Sequence, residues 1–313
     1  MRALATRHLL NIEDLSVPEI NQILDIATSF KEVNERKIKK LPTLRGRTII
    51  NLFLEPSTRT RTSFELAAKR LSADAVNMSG SSSSTVKGES LVDTAKTLDA
   101  MDADLVIIRH AMAGAPQILA NCMRASIING GDGKHQHPTQ ALLDLFTIRE
   151  HFGSFEGLKV GVVGDIAHSR VAGSLLPALH MLGVETVVVA PPTLLPARPD
   201  VLGARVSTKL DEVLPELDVV YMLRIQQERL ERSPIPSLRE YALLFGLNCA
   251  RLERMKEQAI IMHPGPINRG VELTSEAADA ANNLLLYQVN AGVAVRMALM
   301  YVLLGGEDDG IIA

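Results

Sequence analysis

The sequence predicts an α/β protein with two doubly wound parallel-sheet domains joined by helices. Strand-like apolar runs alternate with helix-like periods along the chain and fall into two series, and 313 residues suffice for two domains. Nearly continuous apolar runs, as at 160–163 and 187–189, are typical of parallel strands buried on both faces. Ligands of such sheets bind beyond the carboxyl ends of the strands, so we expect the active site there, in a cleft.

The expected strands are short apolar runs bounded by polar or glycine-rich turns. They cover residues 48–54, 75–78, 104–108 and 125–129 in the first series, and 158–163, 184–190, 217–223 and 259–262 in the second. Helical periods are expected after Ser16 and over residues 62–68, 90–101, 138–152 and 171–182. We therefore assign residues 1–150 to a first domain and 151–283 to a second, with a helix at 284–305 that packs back onto the first.

Composition argues against several classes of protein. A net charge of −3 disfavours nucleic acid, which usually meets a basic surface, and the absence of Trp disfavours base stacking. No apolar run has the length expected of a membrane span, and the N-terminus lacks a signal-peptide pattern. The two cysteines, Cys122 and Cys249, are too few for a disulfide framework or a zinc cluster. We expect a cytoplasmic enzyme with no nucleic-acid or membrane partner.

The first expected strand leads into a turn rich in hydroxyl and guanidinium groups, Ser57-Thr58-Arg59-Thr60-Arg61. A helix-like run follows, and a helix N-terminus attracts anions through its unpaired N–H groups and its dipole. A plain helix cap is the alternative, because Thr62 and Glu65 fit a capping box. Capping accounts for one hydroxyl but not for the remaining hydroxyls and two arginines. We therefore predict a binding site for a small phosphate-bearing ligand.

Further polar residues follow the other expected strands. Four arginines at strand ends in an acidic chain favour a polyanionic ligand over ordinary solvated arginines. The polar residues at these ends are Arg109, His110, His135, His137, Gln140, Asp165, His168, Ser169, Arg170, Arg224, Gln226 and the run His263-Pro264-Gly265-Pro266.

A metal site is an alternative use of the histidines. His135-x-His137 can place two imidazoles on one face, and Asp132 and Asp165 are candidate carboxylate ligands. The surrounding arginines would repel a cation, so we expect no metal.

A nicotinamide enzyme is a second alternative. Gly161-x-x-Gly164 resembles part of a dinucleotide-binding loop, but the third glycine is missing from its expected place. The chain also lacks a Gly-x-Ser-x-Gly nucleophile motif. We expect neither a bound dinucleotide nor a serine nucleophile.

Together these motifs resemble the aspartate branch of the aspartate/ornithine carbamoyltransferase family over nearly the whole chain. The run 57–61 and His137-Pro138-Thr139-Gln140 match signatures shared by both branches. The aspartate branch is indicated by Lys87-Gly88-Glu89, Arg224-Ile225-Gln226-x-Glu228-Arg229 and Met262-His263-Pro264-Gly265-Pro266. The Ser-Met-Gly and His-Cys-Leu-Pro motifs of the ornithine branch are absent. Some relatives have Leu or Ala where Gly265 stands, but the contact there would be through backbone.

The resemblance implies that the amine of L-aspartate attacks the carbonyl carbon of carbamoyl phosphate. The products would be N-carbamoyl-L-aspartate and phosphate, in pyrimidine synthesis, with no cofactor and no metal. Arg59, Thr60, Arg109 and His137 would be catalytic. The residues implied to bind carbamoyl phosphate are Ser57, Thr58, Arg59, Thr60, Arg109, His137, Gln140, Gly265 and Pro266, and those implied to bind aspartate are Lys87, Arg170, Arg224 and Gln226.

The resemblance also implies a shared site. In the family, residues at the positions of Ser83 and Lys87 enter the active site from the neighbouring subunit of a homotrimer. Such trimers work alone, with regulatory chains or with dihydroorotase-like chains, and the sequence does not decide among these assemblies.

Two other functions remain open. A non-catalytic anion-binding module would need only the arginines, without His137 and Gln140. An ornithine-type carbamoyltransferase would need an acidic partner for the substrate ammonium, and Arg224 has the wrong charge for that role.

Overall fold

The structure, a computed structural model, describes residues 4–79, 89–226 and 235–305. Its strands are β1 (Thr48–Phe53), β2 (Asp74–Ser79), β3 (Leu105–His110), β4 (Ser126–Asp132), β5 (Lys159–Val163), β6 (Glu185–Val189), β7 (Arg205–Ser207), β8 (Val219–Met222) and β9 (Ile260–Met262). Its helices are α1 (Val17–Glu35), α2 (Thr58–Arg70), α3 (Leu91–Ala100), α4 (Ala115–Cys122), α5 (Pro138–Phe152), α6 (Arg170–Met181), α7 (Leu210–Val213), α8 (Leu238–Phe245), α9 (Cys249–Leu252), α10 (Ser275–Ala278) and α11 (Leu285–Leu303).

The chain divides into two compact units, each with one parallel sheet. One unit comprises Met1–Phe146 with Val289–Ala313, and the other comprises Thr147–Gln288. The strand order is β2-β1-β3-β4 in the first sheet and β7-β6-β5-β8-β9 in the second. The predicted fold class, two parallel-sheet α/β domains with helices, is confirmed. The order reverses between β1 and β3 and between β5 and β8, and ligands of open α/β sheets bind at such points.

The first sheet is held by apolar side chains on its two central strands. Leu52 of β1 and Ile108 of β3 are fully buried, and they belong to one core cluster with Leu98 of α3 and Leu119 of α4. Each fully buried side chain of this kind contributes roughly 1.5–3 kcal/mol. The carboxyl ends of β1 and β3 therefore form a fixed platform for the residues that follow them.

The second sheet has a buried centre and one exposed edge. Gly161 of β5 packs against Leu217, and a Cβ at this glycine would lie 2.3 Å from Leu217 Cδ1. This close packing explains why glycine stands at position 161, and a bound dinucleotide is not needed to explain it. The sequence prediction missed the edge strand β7, because its three residues include the exposed Arg205 and Val206 and form no apolar run.

Helix α11 corrects one expectation about apolar length. Among the described residues it is the one helix long and apolar enough to cross a membrane by length and composition alone, so the expectation of no such run is wrong. In this fold 72% of its apolar window is buried inside the protein. Such burial is the pattern of a core helix.

Candidate active site

The hydroxyl-rich turn of the first unit forms the start of α2. The helix begins at Thr58, and Ser57 is its N-cap residue in extended backbone conformation. The backbone N–H groups of the first helical turn have no acceptor within the helix, so they are available to an anion. Thr60 is buried in this turn, whereas Thr58 and Arg59 are exposed. The turn therefore presents hydroxyl, guanidinium and backbone donors at one place.

The capping-box alternative for this turn is wrong. Because α2 begins four residues before Thr62, that threonine and Glu65 lie inside the helix. The hydroxyl of Ser57, at the actual N-cap, accepts no capping hydrogen bond. Glu65 instead forms an ion pair with Lys69, whose Nζ lies 2.5 Å from Glu65 Oε1.

Arg109 lies beside this turn, at the end of the neighbouring strand. It pairs with Phe53 across β1 and β3, and its carbonyl oxygen accepts from the N–H of Leu54 at 2.9 Å. Its Nη1 donates to the carbonyl oxygen of Gly130 at 3.2 Å, and its Nη2 lies 3.7 Å from Glu55 Oε1. The pairing of β3 with β4 is irregular at Arg109, and such bulges re-aim a side chain. The strand pairing, the Gly130 carbonyl and the Glu55 carboxylate together fix the position of this guanidinium.

His137 and Gln140 lie at the start of α5, which follows β4. Both side chains are buried, and Thr139 Oγ1 lies 3.4 Å from His137 Nδ1. The amide nitrogen of Gln140 donates to Asp144 Oδ1 at 3.0 Å, one helical turn further on. Since β3 and β4 are neighbours, these residues stand at the same edge of the sheet as Arg109.

A buried carboxylate, Asp132, organises the turn that leads to His137. It accepts from the N–H of Gly114 at 2.7 Å, from the N–H of Gln136 at 3.0 Å and from Asn129 Nδ2 at 2.8 Å. Asp132 Oδ2 also lies 3.1 Å from His135 Nδ1. Both oxygens of Asp132, a candidate ligand in the metal-site alternative, are therefore already hydrogen-bonded within the protein. Within the described ranges, no group of three or more His, Cys, Asp or Glu residues is placed to hold a metal ion.

In the second unit, Arg170 is the first residue of α6, directly after the β5 loop. Its side chain is buried, and Ser169 caps the helix by accepting from the N–H of Ala172 at 3.2 Å. Earlier in the loop, buried Asp165 accepts from the N–H of His168 at 3.2 Å, and its Oδ1 lies 2.8 Å from His168 Nδ1. The loop that carries Arg170 is therefore closed around a carboxylate.

Arg224 and Gln226 follow β8 on a segment that two buried carboxylates anchor. The N–H of Gln226 donates to Asp165 Oδ2 at 3.4 Å, and the N–H of Ile225 donates to Glu272 Oε1 at 2.9 Å. Asp165 and Glu272 are both fully buried. These two hydrogen bonds fix the backbone at Ile225 and Gln226. They therefore also fix the backbone position from which the Arg224 side chain extends.

Glu272 also holds the chain beyond β9. Asn268 donates its N–H to Glu272 Oε2 at 2.9 Å and its Nδ2 to Oε1 at 2.8 Å. Burial raises the pKa of Glu272, whereas the hydrogen bonds from Ile225 and Asn268 act in the opposite direction. One carboxylate therefore links two of the strand ends that the sequence singled out.

A buried hydroxyl lies close to these carboxylates. The hydroxyl of Tyr241, on α8, has no hydrogen-bond partner among the residues that the structure describes, and burial together with the charges of Glu272 and Asp165 raises its pKa. A Cβ at Gly164 would lie 3.1 Å from this hydroxyl and 2.8 Å from the carbonyl oxygen of Leu223. Gly164 has a φ of +130°, so glycine is required there by both space and conformation.

The run after β9 belongs to the second unit as well. His263 is buried, its N–H donates to Gln288 Oε1 at 3.0 Å, and its Nδ1 accepts from the N–H of Gly265 at 2.8 Å. The peptide bond between Gly265 and Pro266 is cis. These contacts fix the backbone of the loop that the sequence analysis assigned to carbamoyl phosphate.

The structure thus collects the predicted residues into two groups. The first unit holds Ser57, Thr58, Arg59, Thr60, Arg109, His137 and Gln140, and the second holds Arg170, Arg224, Gln226, Gly265 and Pro266. Ser83 and Lys87 lie outside the described residues.

Sequence reasoning missed the carboxylates that hold these groups. Glu55, Asp144 and Glu272 contact Arg109, Gln140 and the Ile225 backbone respectively, and the last two are fully buried. One signal was present for Asp144, an acidic residue one helical turn after Gln140 and flanked by Leu143 and Leu145. Nothing in the sequence links Glu272 to Ile225, because these two residues are 47 positions apart, although its other partner, Asn268, lies four positions before it.

Comparison with known proteins also divides the chain into two parts, although the second match includes residues 289–303, which the structure groups with the first unit. Residues 7–150 match the carbamoyl-P binding domain of aspartate/ornithine carbamoyltransferases, and residues 156–303 match their Asp/Orn binding domain. The chain is 56% identical to the aspartate carbamoyltransferase catalytic subunit of Syntrophotalea carbinolica over 301 residues, which cover 96% of each chain.

Solved structures of both branches share the fold. Aspartate transcarbamoylase from Trypanosoma cruzi, in complex with carbamoyl phosphate and aspartate, is 31% identical with a TM-score of 0.87, covering 96% of this chain and 97% of that one. Ornithine carbamoyltransferase from Pyrococcus furiosus is 28% identical, also with a TM-score of 0.87, covering 98% and 100%. The chain belongs to the aspartate/ornithine carbamoyltransferase family.

Proposed function

We propose that this protein is an aspartate carbamoyltransferase, which transfers the carbamoyl group of carbamoyl phosphate to the amine of L-aspartate. The nitrogen forms a bond to the carbonyl carbon, and the bond from that carbon to the phosphate oxygen breaks. Phosphate leaves with the electron pair, and the nitrogen loses a proton. The product, N-carbamoyl-L-aspartate, enters pyrimidine biosynthesis.

The first unit takes the carbamoyl phosphate. The phosphate binds the N–H groups at the start of α2 together with Ser57, Thr58, Arg59 and Thr60, because this turn combines a helix dipole with charged and neutral donors. Thr60, Arg109 and His137 donate to the carbonyl oxygen, where negative charge grows in the tetrahedral transition state. Gln140 accepts from the carbamoyl NH₂.

The second unit takes the aspartate. Arg170, Arg224 and Gln226 bind the two carboxylates, for which guanidinium groups have a matching planar fork of donors. A segment that buried carboxylates hold loses little conformational entropy when it binds, so the acceptor is captured by groups already in place.

One observation carries this proposal: donor-rich groups stand at the switch point of both sheets. The start of α2 and Arg109 flank the β1/β3 reversal, and Arg170 and Arg224 flank the β5/β8 reversal. A phosphate and a dicarboxylate are the ligands that such a pair of sites fits. The 56% identity to a curated aspartate carbamoyltransferase catalytic subunit favours aspartate as the acceptor.

The direct test supplies carbamoyl phosphate with either aspartate or ornithine and measures carbamoyl aspartate, citrulline and phosphate. We expect turnover with aspartate and none above background with ornithine, because an ornithine ammonium beside Arg224 leaves two cations unpaired. Comparable turnover of both acceptors would contradict the proposal. Product from ornithine alone would support the second candidate, an ornithine-type enzyme, which the similarity to the Pyrococcus furiosus structure favours.

The proposal includes a homotrimer with shared active sites. Ser83 and Lys87 enter the site of the neighbouring subunit, and Lys87 binds aspartate there. The family resemblance of Lys87-Gly88-Glu89 supports this part. The trimer acts in the cytoplasm, alone or with regulatory or dihydroorotase-like chains.

Hybrid trimers test the shared site. Lys87→Ala chains and Arg59→Ala chains should each be nearly inactive, since each site then lacks one charge-assisted contact. Mixed trimers would contain some sites with both native residues, so activity should return to a fraction set by the statistics of mixing. Re-formed trimers that stay inactive would show that Lys87 acts within its own chain.

A further inference from the structure

Gln140 is the donor in its hydrogen bond with Asp144. The amide nitrogen, Nε2, lies 3.0 Å from Asp144 Oδ1, and both side chains are buried. An ionised carboxylate can only accept hydrogen bonds, so it selects the nitrogen end of a neighbouring amide. The amide is planar, and its oxygen consequently points away from Asp144.

The charge of Asp144 interacts with a buried cation, Arg296. Arg296 of α11 is buried, its Nη1 donates to Ser63 Oγ at 2.7 Å, and its guanidinium lies 4.9 Å from the centre of the Phe64 ring. Burial lowers the pKa of Arg296 to about 10, and the charge of Asp144 acts in the opposite direction. Arg296 therefore remains a cation at neutral pH. A cation near a buried carboxylate stabilises the carboxylate anion.

The orientation of this amide matters for the ligand that the first unit takes. A carbamoyl group carries an NH₂ donor, whereas an acetyl group carries a methyl at the same place. An amide oxygen directed at that place accepts from the former and gains nothing from the latter. An amide nitrogen directed there would meet the carbamoyl NH₂ as donor against donor.

We propose that Asp144 is a positioning residue that fixes the amide of Gln140 with its oxygen toward the ligand, so that the site selects carbamoyl over acetyl phosphate. The inference rests on the proposed function, in which Gln140 accepts from the carbamoyl NH₂. Arg296 supports it by holding positive charge near the Asp144 carboxylate.

Asp144→Asn tests this role, because asparagine can offer its own NH₂ to the amide oxygen of Gln140. The amide can then turn around and present its nitrogen to the ligand. We expect the KM for carbamoyl phosphate to rise about tenfold, the worth of one lost hydrogen bond. The inhibition constant of acetyl phosphate, used as a competitive inhibitor, should change less than about twofold, since its methyl makes no such bond. Asp144→Ser carries the same expectation should the asparagine variant not fold.

A double-mutant cycle separates orientation from general damage. Gln140→Ala should lower the preference for carbamoyl over acetyl phosphate by itself, and adding Asp144→Asn should not lower it further, because the two residues act through one group. Asp104→Asn is a matched control. Asp104 accepts from the N–H of Thr48 at 2.8 Å at the opposite end of the same sheet, and its loss should leave the preference unchanged.

The possible results separate a failure of the orienting role of Asp144 from a failure of the proposed function. If the wild-type protein forms no carbamoyl aspartate, the proposed function fails. If it does, and Asp144→Asn weakens both phosphates equally or leaves their ratio unchanged while Gln140→Ala alters it, the orienting role of Asp144 is wrong. A lowered ratio in Asp144→Asn alone, absent in the Gln140→Ala background, supports it.

Discussion

The carboxyl edges of the two sheets differ in what holds their positive groups in place. In the first unit, backbone geometry supplies much of the site, since the donors at the start of α2 exist wherever a helix begins. In the second unit, Arg224 lies on a segment without regular secondary structure that Asp165 and Glu272 hold by accepting backbone N–H groups. The hydroxyl-rich turn of the first unit thus depends on a helix terminus, whereas the Arg224 segment of the second unit depends on buried acids.

This difference indicates how each edge responds to substitution. Removing a side chain from the start of α2 leaves the N–H donors in position, so phosphate binding is only partly lost while charge stabilisation suffers. Removing a buried acid from the second unit releases the segment that carries Arg224. Substitutions at the first edge should therefore lower kcat, and substitutions at the second edge should raise the KM for aspartate.

The largest effect is expected at the first edge. Arg59→Ala should lower kcat about 10²- to 10³-fold, the typical loss for one donor to transition-state charge, as measured by carbamoyl aspartate formation with both substrates saturating.

Arg61→Ala is the matched control for that variant. Arg61 lies in the same arginine pair, but its charge acts on Glu65 of the same helix. Its loss should change kcat less than about threefold, since a partly exposed pair of this kind contributes little. Equal losses in both variants would show that the pair acts only through its summed charge.

The next effect is expected at the second edge. Arg224→Ala should raise the KM for aspartate on the order of 10–100-fold, since charge-assisted contacts to a carboxylate are lost, and should leave the KM for carbamoyl phosphate within about twofold. Initial rates at varied aspartate and fixed carbamoyl phosphate measure it. An unchanged KM for aspartate would remove Arg224 from the acceptor site.

A smaller effect is expected from Glu272, which touches neither substrate in the proposed reaction. Glu272→Ala should raise the KM for aspartate about tenfold by releasing Ile225 and Asn268. Glu272→Gln should raise it less, because its carbonyl oxygen can still accept from Ile225. Steady-state kinetics of both variants check the order, and a glutamine variant worse than the alanine variant would contradict it.

The smallest effect concerns pH. Because burial raises the pKa of Glu272, the folded state holds its proton more tightly than the unfolded state does. Stability from this group is therefore fully present below the unfolded pKa and is lost as pH rises through the folded pKa. The unfolding free energy of the wild type minus that of Glu272→Gln should fall as pH rises above 4.5, the ordinary pKa of a Glu carboxyl. Urea unfolding across this range measures it, and a difference that grows with pH would refute the assignment.

Much of this arrangement could be predicted from the sequence, because parallel strands buried on both faces read as apolar runs and the residues after them are local in sequence. The start of α2 was placed four residues late, since Thr60 rather than Glu or Gln stands three residues after Ser57 and no capping box marks that serine. Glu272 could not be found, because its hydrogen bond to Ile225 spans 47 positions and only the fold creates it. Glu55 was passed over as a connector, although it lies 3.7 Å from Arg109 in space.

The central claim is that the first unit binds carbamoyl phosphate and the second selects the acceptor. Calorimetric titration of carbamoyl phosphate into the wild type, Arg59→Ala and Arg224→Ala in the absence of aspartate tests this division most directly. We expect Arg224→Ala to bind with a Kd within about twofold of the wild type and Arg59→Ala to bind at least about tenfold more weakly. Equal weakening in both variants would contradict it.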